Sequence, residues 1–369
     1  MNSMLKMGWK IIREIKMVTG LLVGAILGFI LQRARFCMTG GFRDIYLAKN
    51  FTMLYAFLIA ISVQAVGVFL LVRGDYLAIS TGSISLIGSI GGSLLFGFGI
   101  VLAGGCATGT WYRAAEGLIG SWIALIFYMI FAAITKYGAL SGLQREIASH
   151  TVINDSIAET LGIEQGILIL LLVAVTLFFT IKHLRKPAVK IPSLPAKHQG
   201  IRHLLFEKRW HPFVAGAVIG LIALAAWPLS SMTGRNSGLG ITTPSANIIQ
   251  FLVTGDLGLI DWGVFLVLGI FIGSFMAAKG SREFKWRVPS HNIIITSVIG
   301  GALMGIGASL AGGCTIGNGL TNTSIMAWKG WLGLFFTIIG VWIASYFIYV
   351  RPRRVAQQGT VSAVSHSAS

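Results

Sequence analysis

A chain of 369 residues that is 55% hydrophobic and only 11% charged, with a mean hydropathy of +0.79, is not a soluble enzyme. Its net charge of +17 does not mark a nucleic-acid binder, because the basic residues stand between apolar stretches, where they report topology. Three cysteines cannot all pair within one chain. With no histidine beside them in sequence and no C-x-x-C spacing, they describe no zinc site, and no cofactor is expected.

From the N-terminus, Lys6, Lys10, Arg13 and Lys16 precede an apolar run, as in a signal peptide. The run ends in Gln-Arg-Ala-Arg rather than in small residues, so it reads as a retained first membrane helix. Crossing a hydrocarbon layer of about 30 Å takes about 20 apolar residues. Spans are predicted at 17–32, 51–72, 85–104, 117–135, 165–181, 213–232, 263–278, 293–312 and 331–350. The fold class is therefore all-α, a polytopic membrane protein of about nine transmembrane helices. Its expected organisation is an N-terminal segment 1–16, a first membrane repeat with a spare connecting helix over 17–181, and a basic connector 182–212. A second repeat over 213–350 and a disordered tail 351–369 complete it.

One stretch occurs twice. Gly92, Gly97, Gly99, the block Leu102-Ala-Gly-Gly-Cys106 and Gly109 return at Gly300, Gly305, Gly307, Leu310-Ala-Gly-Gly-Cys314 and Gly317, all at an offset of 208. Each copy sits in a charge-free segment, 76–112 and 291–328, that a straight helix would stretch to about 55 Å. The chain must bend there. Irregular backbone at membrane depth survives only against protein or a watery cavity, so each cysteine is expected at the tip of a broken or re-entrant helix. The 47 glycines suit such close packing.

The motif lies in span three and again in span eight, five crossings later, so the halves point in opposite directions as an inverted repeat. Such repeats place their sites at the half-to-half interface near the midplane. One face receives 20 Lys and Arg, the other 9. This puts the C-terminus in the cytoplasm and the N-terminus outside, against the four basic residues that precede span one.

A membrane cysteine is ordinarily a small apolar filler. Cys106 and Cys314 differ because both follow Leu-Ala-Gly-Gly inside repeated breaks, and a polarizable S–H donor suits a soft sulfur-containing anion. They are read as substrate-binding, with Gly105, Gly313, Thr108 and Asn318 beside them. Weak contacts at several sites let such a substrate leave. Cys37 lies in a charged, Gly-rich turn, Gln32-Arg-Ala-Arg-Phe-Cys37-Met-Thr-Gly-Gly-Phe-Arg-Asp44, and joins the set. Its expected counterpart, Gly234–Pro244, has no cysteine.

Arg113 fits an i,i+3 pair with Glu116 better than a ligand, with the ligand role as its second reading. Arg35, Arg43, Arg235 and Lys329 either draw an anion inward or snorkel to headgroups, and Lys329 fits snorkelling better. Thr108, Thr110, Asn318, Thr321 and Asn322 are placed to cap the next short helix or to border an anion at its N-terminus. Trp122 and Trp331 fit the aromatic belt.

These motifs as a set, Gln32-Arg-Ala-Arg-Phe-Cys37, Phe96-Gly-Phe-Gly-Ile-Val-Leu-Ala-Gly-Gly-Cys106 and Leu310-Ala-Gly-Gly-Cys314, resemble the YeeE/YedE family of sulfur-compound transporters over roughly 18–350. The likeness is greatest to its thiosulfate-uptake members. The resemblance implies an hourglass-shaped inner-membrane protein with Cys314, Cys106 and Cys37 lining the constriction. It implies passage of thiosulfate by S–H···S contacts, and a small cytoplasmic sulfurtransferase-like partner of the TusA type. Two alternatives stay open. One is transport of a selenium compound or another sulfur oxyanion. The other is a membrane sulfurtransferase with a persulfide intermediate, which apolar surroundings oppose unless Arg113 or Arg35 stabilises a thiolate. No nucleotide-binding loop of the G-x-x-x-x-G-K-[ST] kind is present.

Overall fold

The structure is a computed structural model that describes residues 2–79, 83–150, 152–185, 200 and 202–352, with side chains from residue 17 onward, Leu204 excepted. Of the expected connector, 186–199 and 201 lie outside the described residues, as do 353–369 of the expected tail.

Nine helical stretches among the described residues are long and apolar enough to cross a membrane, and each predicted span falls on one of them. In the first half, α1 (Asn2–Ala34) is followed by the short α2 (Met38–Ala48) and then α3 (Thr52–Arg73). Next come α4 (Leu86–Leu102), the short α5 (Ala107–Ala115) and α6 (Ile119–Tyr137). Two small helices, α7 (Ser141–Ser149) and α8 (Ile157–Leu161), lead to the single helix α9 (Gln165–Leu184). The second half runs α10 (Pro212–Ser231), short α11 (Thr242–Thr254), α12 (Trp262–Gly280), α13 (His291–Leu310), a wide helical turn Gly317–Asn322, and α14 (Trp328–Ser345). The spans begin where local chemistry favours it. Asp261 caps α12 by accepting from the Val264 amide, Ser85 caps α4 through Gly88, and Pro212 opens α10.

Packing repeats across the halves. α1 lies along α12 as α10 lies along α3, and α13 packs on α6 as α4 packs on α14. The short helices follow suit, α2 on α14 and α11 on α6. The inversion is visible in the charges. Arg33 and Arg35, at the end of α1, meet Glu283 beyond the end of α12 at 3.5 and 2.7 Å. Arg235, beyond the end of α10, meets Asp261 before the start of α12 at 3.8 Å. Equivalent helices therefore finish at opposite ends of one spanning helix.

The two motif helices cross antiparallel at the centre, backbone to backbone. A Cβ on Gly92 would stand 2.5 Å from the Ala311 nitrogen, and one on Gly300 would stand 2.3 Å from that of Ala103. Only glycine allows that approach, the packing mode of membrane helices that lack a hydrophobic drive to associate. α9 stands apart: it packs chiefly on α3 and turns Leu170, Leu171 and Phe178 outward. The antiparallel ribbon of β1 (Ser83–Ser85) and β2 (Val152–Asn154) was not anticipated from the sequence. It joins the loops on the α13–α14 face, where the Asp155 carbonyl accepts from the Trp328 amide at 2.7 Å.

Candidate functional site

The repeated Leu-Ala-Gly-Gly-Cys block makes the same turn twice. Its first glycine is left-handed in both copies, φ +71° at Gly104 and +73° at Gly312, which ends α4 and α13 as glycine does after a helix. After the first turn, Cys106 takes an extended conformation at the N-cap of α5, and Cys37 does the same for α2. Each sulfur lies within hydrogen-bonding reach of first-turn amides of the helix it opens, Cys37 of those of Thr39 and Gly40 and Cys106 of that of Gly109. In the second turn the room beside Gly313 belongs to Asn318, whose Oδ1 lies 2.5 Å from where a Cβ would stand. The Asn318 amide donates to the carbonyls of Ala311, at 2.8 Å, and Gly313, at 3.2 Å. Asn318 thus holds the cysteine turn in shape.

All three cysteines are free and buried, at 6% exposure for Cys37, 4% for Cys106 and 2% for Cys314. Cys37 and Cys106 come together. Their thiols are within hydrogen-bonding reach of each other, and a Cβ on Gly109 would stand 3.4 Å from the Cys106 sulfur and 3.6 Å from that of Cys37. The Arg113 guanidinium closes this group from one side. Its Nη1 donates to the Gly104 carbonyl and its Nε to the Tyr112 hydroxyl at 3.4 Å. Gly105 lies 3.8 Å from that Nη1, measured from where a Cβ would be.

Beyond the thiol pair the charges neutralise one another. Arg35 Nη1 donates to both oxygens of Glu116 at 2.7 Å, and Nη2 donates to Glu283 at 2.7 Å. Gln32 donates to Glu283 at 2.6 Å. Burial pushes the Glu116 carboxyl up from its ordinary value, and the charge of Arg35 opposes that shift.

Cys314 stands elsewhere, on a vestibule of about 200 Å3 at the opposite face. Among its lining residues are Gly312, Arg235, Thr242, Asp155 and Lys329. Lys329 Nζ lies 3.3 Å from Asp155, and the Lys329 amide donates to the same carboxylate at 2.9 Å. Burial raises the Asp155 carboxyl and Lys329 pulls it back down. Burial lowers the Arg235 guanidinium, with Asp261 offsetting part of the change. Cys314 also borders a second, small cavity of about 10 Å3 on the protein side of the turn, with Thr315 and Asn318 in its wall.

Four readings of single residues change. Glu116 pairs with Arg35, not with Arg113, because it lies at the end of α5 facing the break after α1. Lys329 does not snorkel but pairs with Asp155 in the vestibule wall. Trp122 and Trp331 pack against the core with buried indole nitrogens, Trp122 edge-on to Phe271 at 5.3 Å, and so do not form a belt. Thr110 and Thr321 spend their hydroxyls on the carbonyls of Ala107 and Leu239, and Asn322 donates to Asn318. Asp155 was missed, since a lone acid in a polar loop carries no sequence signal. The cysteine-free Gly234–Pro244 segment supplies much of the vestibule wall.

The sequence model of a family described as sulphur transport matches residues 33–343. The chain is 56% identical to the thiosulfate transporter TsuA of Escherichia coli K12, over 94% of this chain and 98% of that one. It is 32% identical to the thiosulfate transporter TsuA of Spirochaeta thermophila, over 90% and 99%. A shorter match, 36% identical over 36% of this chain and 33% of the other, joins it to the probable transporter YedE of E. coli K12. With its repeated cysteine turns, its multi-pass helices and these full-length likenesses, the chain belongs to the sulphur transport, or YeeE/YedE, family.

Proposed function

We propose that this protein takes up thiosulfate across the bacterial inner membrane, handing the ion along three buried thiols. The observation that carries the reading is that each of the three cysteines is buried at an interruption of a membrane helix, a break that protein or a polar cavity has to satisfy. The names of its full-length relatives supply the substrate class. With the more basic face in the cytoplasm, the vestibule at Cys314 is the entrance, and the order is Cys314, then Cys106, then Cys37. Arg235 and Lys329 attract the dianion at the entrance, and Arg113 draws it past the inner pair. A protonated thiol donates weakly to the terminal sulfur, so each station holds the ion without trapping it. A small cytoplasmic sulfurtransferase-like protein of the TusA type would take the ion from the basic face.

The test is uptake of labelled thiosulfate into vesicles, with sulfate, sulfite and selenite as competitors. Wild type concentrates or equilibrates the label, while Cys106→Ala and Cys314→Ala abolish uptake at normal expression. Normal uptake by both variants overturns the relay. Uptake of labelled selenite by vesicles that take up no thiosulfate moves the cargo to selenium. A mass gain of one sulfur atom on a cysteine after exposure to thiosulfate replaces passage by a persulfide enzyme.

A further inference from the structure

We propose that two threonines, Thr39 and Thr108, hold the oxygen end of the transported anion while the neighbouring cysteines meet its sulfur end. The assignment rests on the transport reading above and deepens it by naming what selects the cargo. Each threonine lies two residues after a cysteine, Thr39 after Cys37 and Thr108 after Cys106. Both are buried, at 4% and 3% exposure, and neither hydroxyl oxygen has a hydrogen-bond partner among the described residues.

The contrast with nearby threonines shows that this is not a general habit of the turns. Thr110 bonds to the Ala107 carbonyl at 2.7 Å, Thr321 to that of Leu239 at 2.7 Å and Thr323 to that of Gly319 at 2.8 Å. Those are the ordinary ways a buried threonine satisfies its hydroxyl. Thr39 and Thr108 occupy the second positions of α2 and α5, where the carbonyls three and four residues back lie outside the helix. Their hydroxyls are left over, whereas the amides of Thr39, Gly40 and Gly109 lie within reach of the cysteine sulfurs. The earliest amides with a helical partner are Gly41, which donates to Cys37, and Thr110, which donates to Cys106. Thr315, beside Cys314, faces only the small cavity of about 10 Å3, room for one water, and has no part in the assignment.

A buried hydroxyl without a partner is costly, and valine would fill the same volume without that cost. The hydroxyl is explained if something else arrives to accept from it. Thiosulfate has the matching chemistry, a soft terminal sulfur at one end and three oxygen acceptors at the other. A thiol suits the first and a hydroxyl suits the second. An anion with only one of these ends would satisfy half of each station.

The experiment measures initial rates of labelled thiosulfate uptake in vesicles for Thr→Val and Thr→Ser at each position. The expected result is a rise in KM of about tenfold for each valine variant, from one lost hydrogen bond to a charged ligand. Expression and maximal rate stay near wild type, and serine restores the wild-type KM. If a valine variant does not fold, Thr→Ala at that position is read by the same criterion. Valine variants with wild-type KM overturn the assignment, and so does a fall in maximal rate alone, since a packing role would do that. Wild type without uptake removes the transport reading and this assignment with it. Uptake by wild type and by the valine variants alike removes only the threonines.

Discussion

The thiol pair of the first half and the lone thiol of the second stand in opposite electrostatic settings. Around Cys37 and Cys106 the nearby carboxylates and guanidiniums consume one another, with Arg35 shared between Glu116 and Glu283. Around Cys314 the two cations border an open cavity, Lys329 paired with Asp155 at 3.3 Å and Arg235 with Asp261 at 3.8 Å. The backbone turn is the same in both copies, so the difference lies in what surrounds it. One turn lies among interlocked charges and the other beside a cavity. An inverted repeat alone would make the two ends equivalent, and the side chains remove that equivalence.

The comparison breaks most completely at the crossing on which both ends depend. Gly300→Val places a branched side chain where even a Cβ would be 2.3 Å from the backbone of α4. Loss of folded protein is expected, seen as aggregation in size-exclusion chromatography. Gly91→Ala, where nothing lies within 4 Å, leaves the profile unchanged.

Next in size is the inner cluster. Arg35→Ala strands the Glu116 carboxylate, whose side chain is 4% exposed, and is expected to cost about 3–5 kcal/mol in unfolding measurements. Adding Glu116→Gln recovers most of the loss. The counterpart at the vestibule, Arg235→Ala, breaks a longer pair whose acid is 35% exposed, and a smaller loss of stability is expected. Its effect falls on uptake instead: Arg235→Ala and Lys329→Ala each slow initial rates about tenfold at low salt, and the difference shrinks as salt rises.

The smallest effect is a pH slope. Asp155 carries a carboxyl raised above its ordinary value of 3.8, chiefly by burial. Between that value and the raised one the folded protein binds more protons than the unfolded chain, so stability falls as pH rises through this window. Asp155→Asn is expected to flatten the slope, read as the dependence of thermal midpoint on pH.

Much of this architecture is legible in the sequence, and the reasons are specific. The predicted span 51–72 became Thr52–Arg73 and 165–181 became Gln165–Leu184, because an uncharged apolar run has one stable solution in lipid. The repeat announced the turns at Cys106 and Cys314 because left-handed backbone at Gly104 and Gly312 needs glycine in both copies. Partners did not follow from spacing. Arg113 and Glu116 are three residues apart, yet Glu116 turns to Arg35, which lies 81 positions away along the chain. Asp155 and the β1–β2 ribbon were invisible for the same reason: the ribbon joins loops two spans apart, and Asp155 reaches Lys329 across four. The meeting of Cys37 with Cys106 is likewise a product of folding, since no local pattern links α2 to α5.

The helix that touches none of this, α9, has its own arithmetic. Each half contributes four crossings, an even number, so two halves joined directly would both enter the bilayer from the same side. The single extra crossing is what turns the second half over and lets its motif helix meet the first head to tail. Its outward apolar surface can be rewritten freely with other greasy residues, but a deletion of α9 would reverse every later segment and leave the thiols on unrelated paths.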